Sequence, residues 1–234
     1  MRRSGVVLVL GCSLMSCASM RAEQETDAAQ PLEHIRIDRD ARAVEFDATV
    51  PITVRDEDAP HVYLELIACT PNTKEHEVLV VTRARPSDVH AALLMIGGES
   101  GAPGRWEWTQ EEGLIGHPPS GDRVRVELVY IDDRGVERVD SPQDWIVHME
   151  TGERFPDGDW VFAGSRFVEW QGQEHYHADG AGTLIGLTTF GSEVLAWPEM
   201  ISHESQIDEP IWIAAPDIPA RDTPVVVRLT LIDD

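Results

Sequence analysis

The chain is poor in lysine. Of its 19 basic residues eighteen are arginine, and Lys74 is the only lysine. Against them stand 42 acidic residues, for a formal net charge of −23. Binding to phosphate backbones needs clustered cations, so this balance excludes a nucleic-acid partner. It also argues against docking on anionic lipid through charge. It reads first as a solvated acidic coat, and it also suits a cationic partner or divalent ions. Cysteine is scarce too, at three residues. No apolar run reaches the roughly 20 residues that a spanning helix takes. Internal repeats are absent, and no shift of composition marks a second domain in a chain of 234 residues.

What is present begins with residues 1–20, MRRSGVVLVLGCSLMSCASM. Arg2 and Arg3 precede a short apolar stretch, the pattern of a secretory signal. Leu14-Met15-Ser16-Cys17 resembles a bacterial lipobox, which implies cleavage before Cys17 and lipid, palmitate included, on that residue. Val9-Leu10-Gly11-Cys12 is a second candidate with a shorter apolar region. An ordinary signal peptide cut near Met20 and an uncleaved anchor are the competing readings. Residues 1–16 are then a lipoprotein signal peptide, 17–33 a polar flexible tether and 34–234 one domain. Ala18 and Ser19 are unlike the acidic residue that retains some lipoproteins at an inner membrane. The expected location is therefore the periplasmic face of an outer membrane, touched only through the lipid. With Cys12 and Cys17 so assigned, Cys69 stands alone and no internal disulfide can form.

The remaining chain reads as mostly β, an α+β domain of antiparallel sheets with one main helix packed on them. Ile35, Ile37, Val44, Phe46, Ala48 and Val50 alternate with polar residues and predict a hairpin with one wet face. Residues 123–131 (RVRVELVYI), 160–167 (WVFAGSRF) and 225–232 (VVVRLTLI) predict strands, with Gly164 a bulge or close approach. Residues 176–188 suggest a hairpin turning at Asp179-Gly180. Pro86, Val89, Ala92, Leu93 and Ile96 have helical spacing over 87–96, closed by Gly97-Gly98. Ser141-Pro142-Gln143-Asp144 reads as a capped helical turn leading to Trp145.

Three stretches together resemble the YdjY domain of bacterial secreted and lipoprotein sequences. They are LELIACTPNTKEHEVLVVTRARPSDVHAALLMIGG (64–98), DWVFAGSRF (159–167) and YHADGAGTLIGLTTFG (176–191). The resemblance runs over residues 35–234. It implies an envelope domain without an assigned reaction and carries no catalytic residue with it.

Candidate chemistry centres on residues 64–81. Read as a symmetric hairpin covered on both faces, this stretch sets Cys69 opposite His76 and Ala68 opposite Glu77, with His90 near the same end. Cys beside His can make a nucleophile, and Cys69, His76, Glu77 and His90 are ligand types for zinc. A Cys on a buried strand is more often a small hydrophobe, and the spacing matches no strong metal signature. His175 and His177 share one strand face but lack a third ligand. Ser165 lacks the spacing of a nucleophile elbow. Trp106 and Trp108 read as satellite core under a long loop, with a ligand groove as the alternative. The function expected is binding or structural: an envelope lipoprotein that contacts another envelope protein or a small ligand and needs no cofactor. The alternative is a metal-binding or thiol-dependent enzyme centred on Cys69, His76, Glu77 and His90, a divalent metal being its cofactor.

Overall fold

The computed structural model describes residues 32–56, 58–202 and 211–233. The lipobox, with Cys17, and the tether up to residue 31 lie outside the described residues. Alternation builds the first hairpin as expected: β1 (Ile35–Asp38) pairs antiparallel with β2 (Ala43–Thr49). The Asp38 carboxylate accepts the amides of Asp40 and Ala41 and tightens the turn. Val44, Phe46 and Ala48 are buried while Asp47 and Thr49 face water. Next come β3 (Leu66–Cys69), β4 (Val78–Thr82) and α1 (Pro86–Met95). Pro86 stands in the first turn of α1, and Gly97 closes the helix at φ +88°, where an L side chain would be strained.

A two-tier ribbon follows. β5 (Ser100–Ala102) pairs with β8 (Ser120–Gly121), and β6 (Arg105–Thr109) with β7 (Gly113–His117). β9 (Arg123–Ile131) and β10 (Glu137–Asp140) form the next hairpin. The capped turn is a 3-10 helix over Pro142–Trp145, in which the Asp144 carboxylate accepts the Ser141 amide. Then come β11 (Ile146–His148), β12 (Trp160–Phe162), β13 (Phe167–Trp170), β14 (Gln173–Tyr176), α2 (His177–Ala181) and β15 (Thr183–Gly186). β16 (Leu195–Ala196), β17 (Trp212–Ala214) and β18 (Pro224–Leu231) complete the set.

Eight strands close on themselves in the order β2-β18-β9-β12-β16-β15-β3-β4, with β4 pairing back to β2. The fold is mostly β, an eight-stranded mixed barrel with two short helices. Closure leaves those strands without the free edges that invite aggregation. Phe46, Leu128, Trp160, Phe162, Val227 and Leu229 fill one continuous core. α1 lies over β1 and β2 and buries Val89, Ala92 and Leu93.

Four local expectations need correction. β3 and β4 do not form an antiparallel hairpin: they pair in parallel, Leu66 with Val78, Ala68 with Val80 and Cys69 with Val81. Parallel neighbours usually need about a dozen connecting residues. The return through residues 70–77 is shorter because these strands have only four and five residues. It folds tightly, with Asn72 at φ +63° giving its amide to the Glu75 carboxylate and Glu77 giving its amide to the Lys74 carbonyl. Residues 176–188 form α2 and β15 rather than a hairpin, because the Asp179 carboxylate accepts the Ser87 amide and pairs with Arg85 at the start of α1. The strand expected over 160–167 stops at Phe162, where Gly164 (φ +81°) and Ser165 (φ +54°) turn the backbone. A Cβ on Gly164 would lie 2.7 Å from Ser100 Cβ, the close approach that its glycine permits. Trp108 is not satellite core: it is 68% exposed on β6, while Trp106 packs against Gly116 and Met200 lies beside it.

Candidate functional site

The parallel pairing decides what meets what. Cys69 lies beside Val81 on one flank and Thr183 on the other, at the far end of the ribbon from residue 77. Its side chain is fully buried with Leu66 and Val78, and Val81 and Phe190 pack on that cluster. Burial pushes the thiol up, away from the thiolate that a nucleophile or a metal would need. His76 is exposed, and its Nε2 stands 2.6 Å from Glu77 Oε1. His90 is elsewhere: Nδ1 is 3.0 Å from the Gly164 carbonyl and 2.8 Å from the Tyr176 hydroxyl, and its ring meets Phe162 edge-on. Burial lowers its pKa. Of the four candidates, only His76 and Glu77 come together. Among the described residues no group of three or more His, Cys, Asp or Glu side chains is placed to hold a metal.

The other candidates are occupied by structure. β14 ends at Tyr176, so His177 belongs to α2 and accepts from Arg166 Nε at 3.3 Å instead of sharing a strand face with His175. Ser165 Oγ is buried, donating to the Ser192 carbonyl at 2.6 Å and accepting the Ala178 amide at 3.2 Å.

What the ribbon does create is a carboxylate pair at the mouth of a cleft. The amides of Glu65 and Leu66 both donate to the Glu77 carbonyl, and those of Leu187 and Thr188 to the Glu65 carbonyl. Glu65 and Glu77 are thereby fixed side by side, their side chains 22% and 25% exposed. Lys74 Nζ lies 2.9 Å from Glu65 Oε2, 3.7 Å from Glu77 Oε2 and 4.6 Å from the centre of the Phe190 ring. The cleft measures about 1180 Å³. Ile52, Val62, Leu64, Ile201 and Trp212 contribute to its apolar wall, and Glu65, His76 and Glu77 to its polar end. Arg221 and His61 also line it. An apolar concavity of this size with a few convergent polar groups is the ordinary form of a small-molecule site.

Two half-buried carboxylates beside one ammonium cannot both ionise freely. Burial, and then the hydrogen bond to Glu77, push Glu65 up to about 7. Glu77 moves the other way, chiefly because Glu65 donates its proton to it, with Lys74 and His76 adding to the effect. The pair thus shares one proton until pH rises through about 7. Glu65 and Lys74 were missing from the sequence-based candidates; the signal that pointed to them was the single lysine in so acidic a chain.

The linkage has a definite sign. Folded Glu65 holds its proton more tightly than the unfolded chain does, so stability falls as pH rises from the usual glutamate range to about 7. The Glu77 contribution is lost only as pH drops through its lowered value, below that window. Glu65→Gln removes the first effect. The melting temperature of Glu65→Gln relative to wild type is expected to climb from pH 5 to about pH 7 and then level off. A difference that stays flat over that range contradicts the shared proton.

With this geometry in hand, comparison with known proteins gives one match: the model of the YdjY domain family fits residues 35–230. No curated protein and no solved structure matches the chain. A family match over most of the barrel and its helices agrees with the resemblance read from residues 64–98, 159–167 and 176–191, and the chain belongs to the YdjY domain family.

Proposed function

We propose that this YdjY-domain chain is a ligand-binding module of a bacterial cell envelope, tethered to a membrane by lipid on Cys17. The observation that carries the binding reading is the cleft of about 1180 Å³, with an apolar wall that ends at Glu65 and Glu77. A folded chain does not leave such a wall open without cost, since apolar surface in water is unfavourable by about 25 cal/mol per Å². A ligand with an apolar body covers Val62, Tyr63 and Trp212 and brings its polar end to the carboxylates. The buried, protonated Cys69 favours this reading over a thiol enzyme. Tethering at Cys17 rests on the lipobox-like Leu14-Met15-Ser16-Cys17 and on the n-region before it.

The neutral fluorophore N-phenyl-1-naphthylamine tests the cleft. Its emission should rise saturably at one probe per full-length chain. Val62→Asp with Ile201→Asp should weaken binding about tenfold while the circular dichroism is unchanged. Binding that ignores these substitutions places the probe elsewhere and removes the reading. Tethering is tested by fractionation of expressing cells: wild type should sediment with membranes and Cys17→Ser should not. Identical distribution of the two removes the lipid anchor.

A further inference from the structure

We infer that the occupant of the cleft is an amphipath with a primary ammonium head, which takes over the Glu65 and Glu77 carboxylates that Lys74 now holds. This rests on the cleft reading above and names the chemistry of its ligand. Three features of the polar end carry it. The first is that the site already binds an ammonium. Carboxylate oxygens lie 2.9 and 3.7 Å from Lys74 Nζ, and an aromatic ring centre at 4.6 Å, which is the environment a cation selects.

The second is that Lys74 leaves acceptor capacity unused. Its Nζ is 2.9 Å from Glu65 Oε2 but stops 3.7 Å from Glu77 Oε2, beyond a normal hydrogen bond. An ammonium has three donors, and both carboxylates line the cleft, whose lining does not include Lys74. The third is the shape of the cleft. Its wall of Val62, Tyr63 and Trp212 suits an alkyl or aryl body, and a bare hydrated cation would leave that wall uncovered. The net charge of −23 raises the local concentration of any cationic ligand. Lys74 is thus an incumbent: it neutralises the pair while the cleft is empty of ligand and yields when an amine arrives.

The competition can be read directly. Decylammonium, decanol and decanoate, below their micelle concentrations in 150 mM salt, are titrated against the full-length chain carrying Cys17→Ser and loaded with N-phenyl-1-naphthylamine. Decylammonium should displace the probe at a concentration about tenfold lower than decanol. Lys74→Met, which removes the incumbent, should tighten decylammonium about fivefold and leave decanol within about twofold. Lys74→Gln, which keeps a donor without the charge, is read alongside it and should give the same direction. Glu65→Gln with Glu77→Gln should abolish the preference for decylammonium. Equal displacement by decylammonium and decanol, with the probe bound, overturns the ammonium head and leaves the cleft reading standing. Preference for decanoate moves the head group to Arg221 and overturns it as well. Failure of the probe to bind removes the cleft reading itself.

Discussion

The seam between β2 and β4 is the contact on which the rest of the molecule depends. Ala48 faces Thr82 and Thr49 faces Val81 across it, and Thr82 Oγ1 donates to the Asp47 carbonyl at 2.7 Å while accepting the Ala84 amide. Without that seam β4 has an open edge, and β2 keeps on that side only β1, paired along Ala43–Phe46. To reach β2 in antiparallel sense, β4 must run in the same direction as β3. The chain therefore returns along residues 70–77 before β4 begins. That return carries Lys74, His76 and Glu77 back to the start of β3, where Glu65 stands. The closing of the barrel and the composition of the cleft's polar end are one event.

The same constraint divides the chemistry of the ribbon. Its interior face and its satellite cluster are apolar and closed, and Cys69 belongs there with Leu66, Val78 and Phe190. Its outer end is where charge accumulates. Burial of two carboxylates raises the free energy of the fully ionised state, and the chain offsets this with one ammonium and one proton. Removing any one of the three groups changes the charge state of the other two.

The long strands were legible in the sequence, whereas the four short strands β5–β8 lie where a long loop was expected. Alternation at Val44-Phe46-Ala48 and at Val225-Val227-Leu229 placed both the elements and their buried faces. The helix at Pro86 and the turn at Ser141 were announced by proline and capping residues. Direction was not legible. Two apolar runs flanking Pro71-Asn72 look the same whether the second run turns back or starts again, since local alternation carries no information about which strand lies beyond. Cys69 and His76 were joined on the commoner assumption. Asp179-Gly180 misled for a related reason: its carboxylate serves the distant Ser87 amide and Arg85, a tertiary bond that overrides the turn preference of the dipeptide. Glu65 was hidden in an apolar run, and only its partnership with Lys74, nine positions on, reveals it.

The direction of β4 against β3 is the point that decides the whole account. Nuclear Overhauser contacts in an isotope-labelled sample measure it without reference to any ligand. The account predicts cross-strand contacts between Leu66 and Val78 and between Cys69 and Val81. Contacts between the backbones of Cys69 and His76, as a hairpin would give, would contradict it.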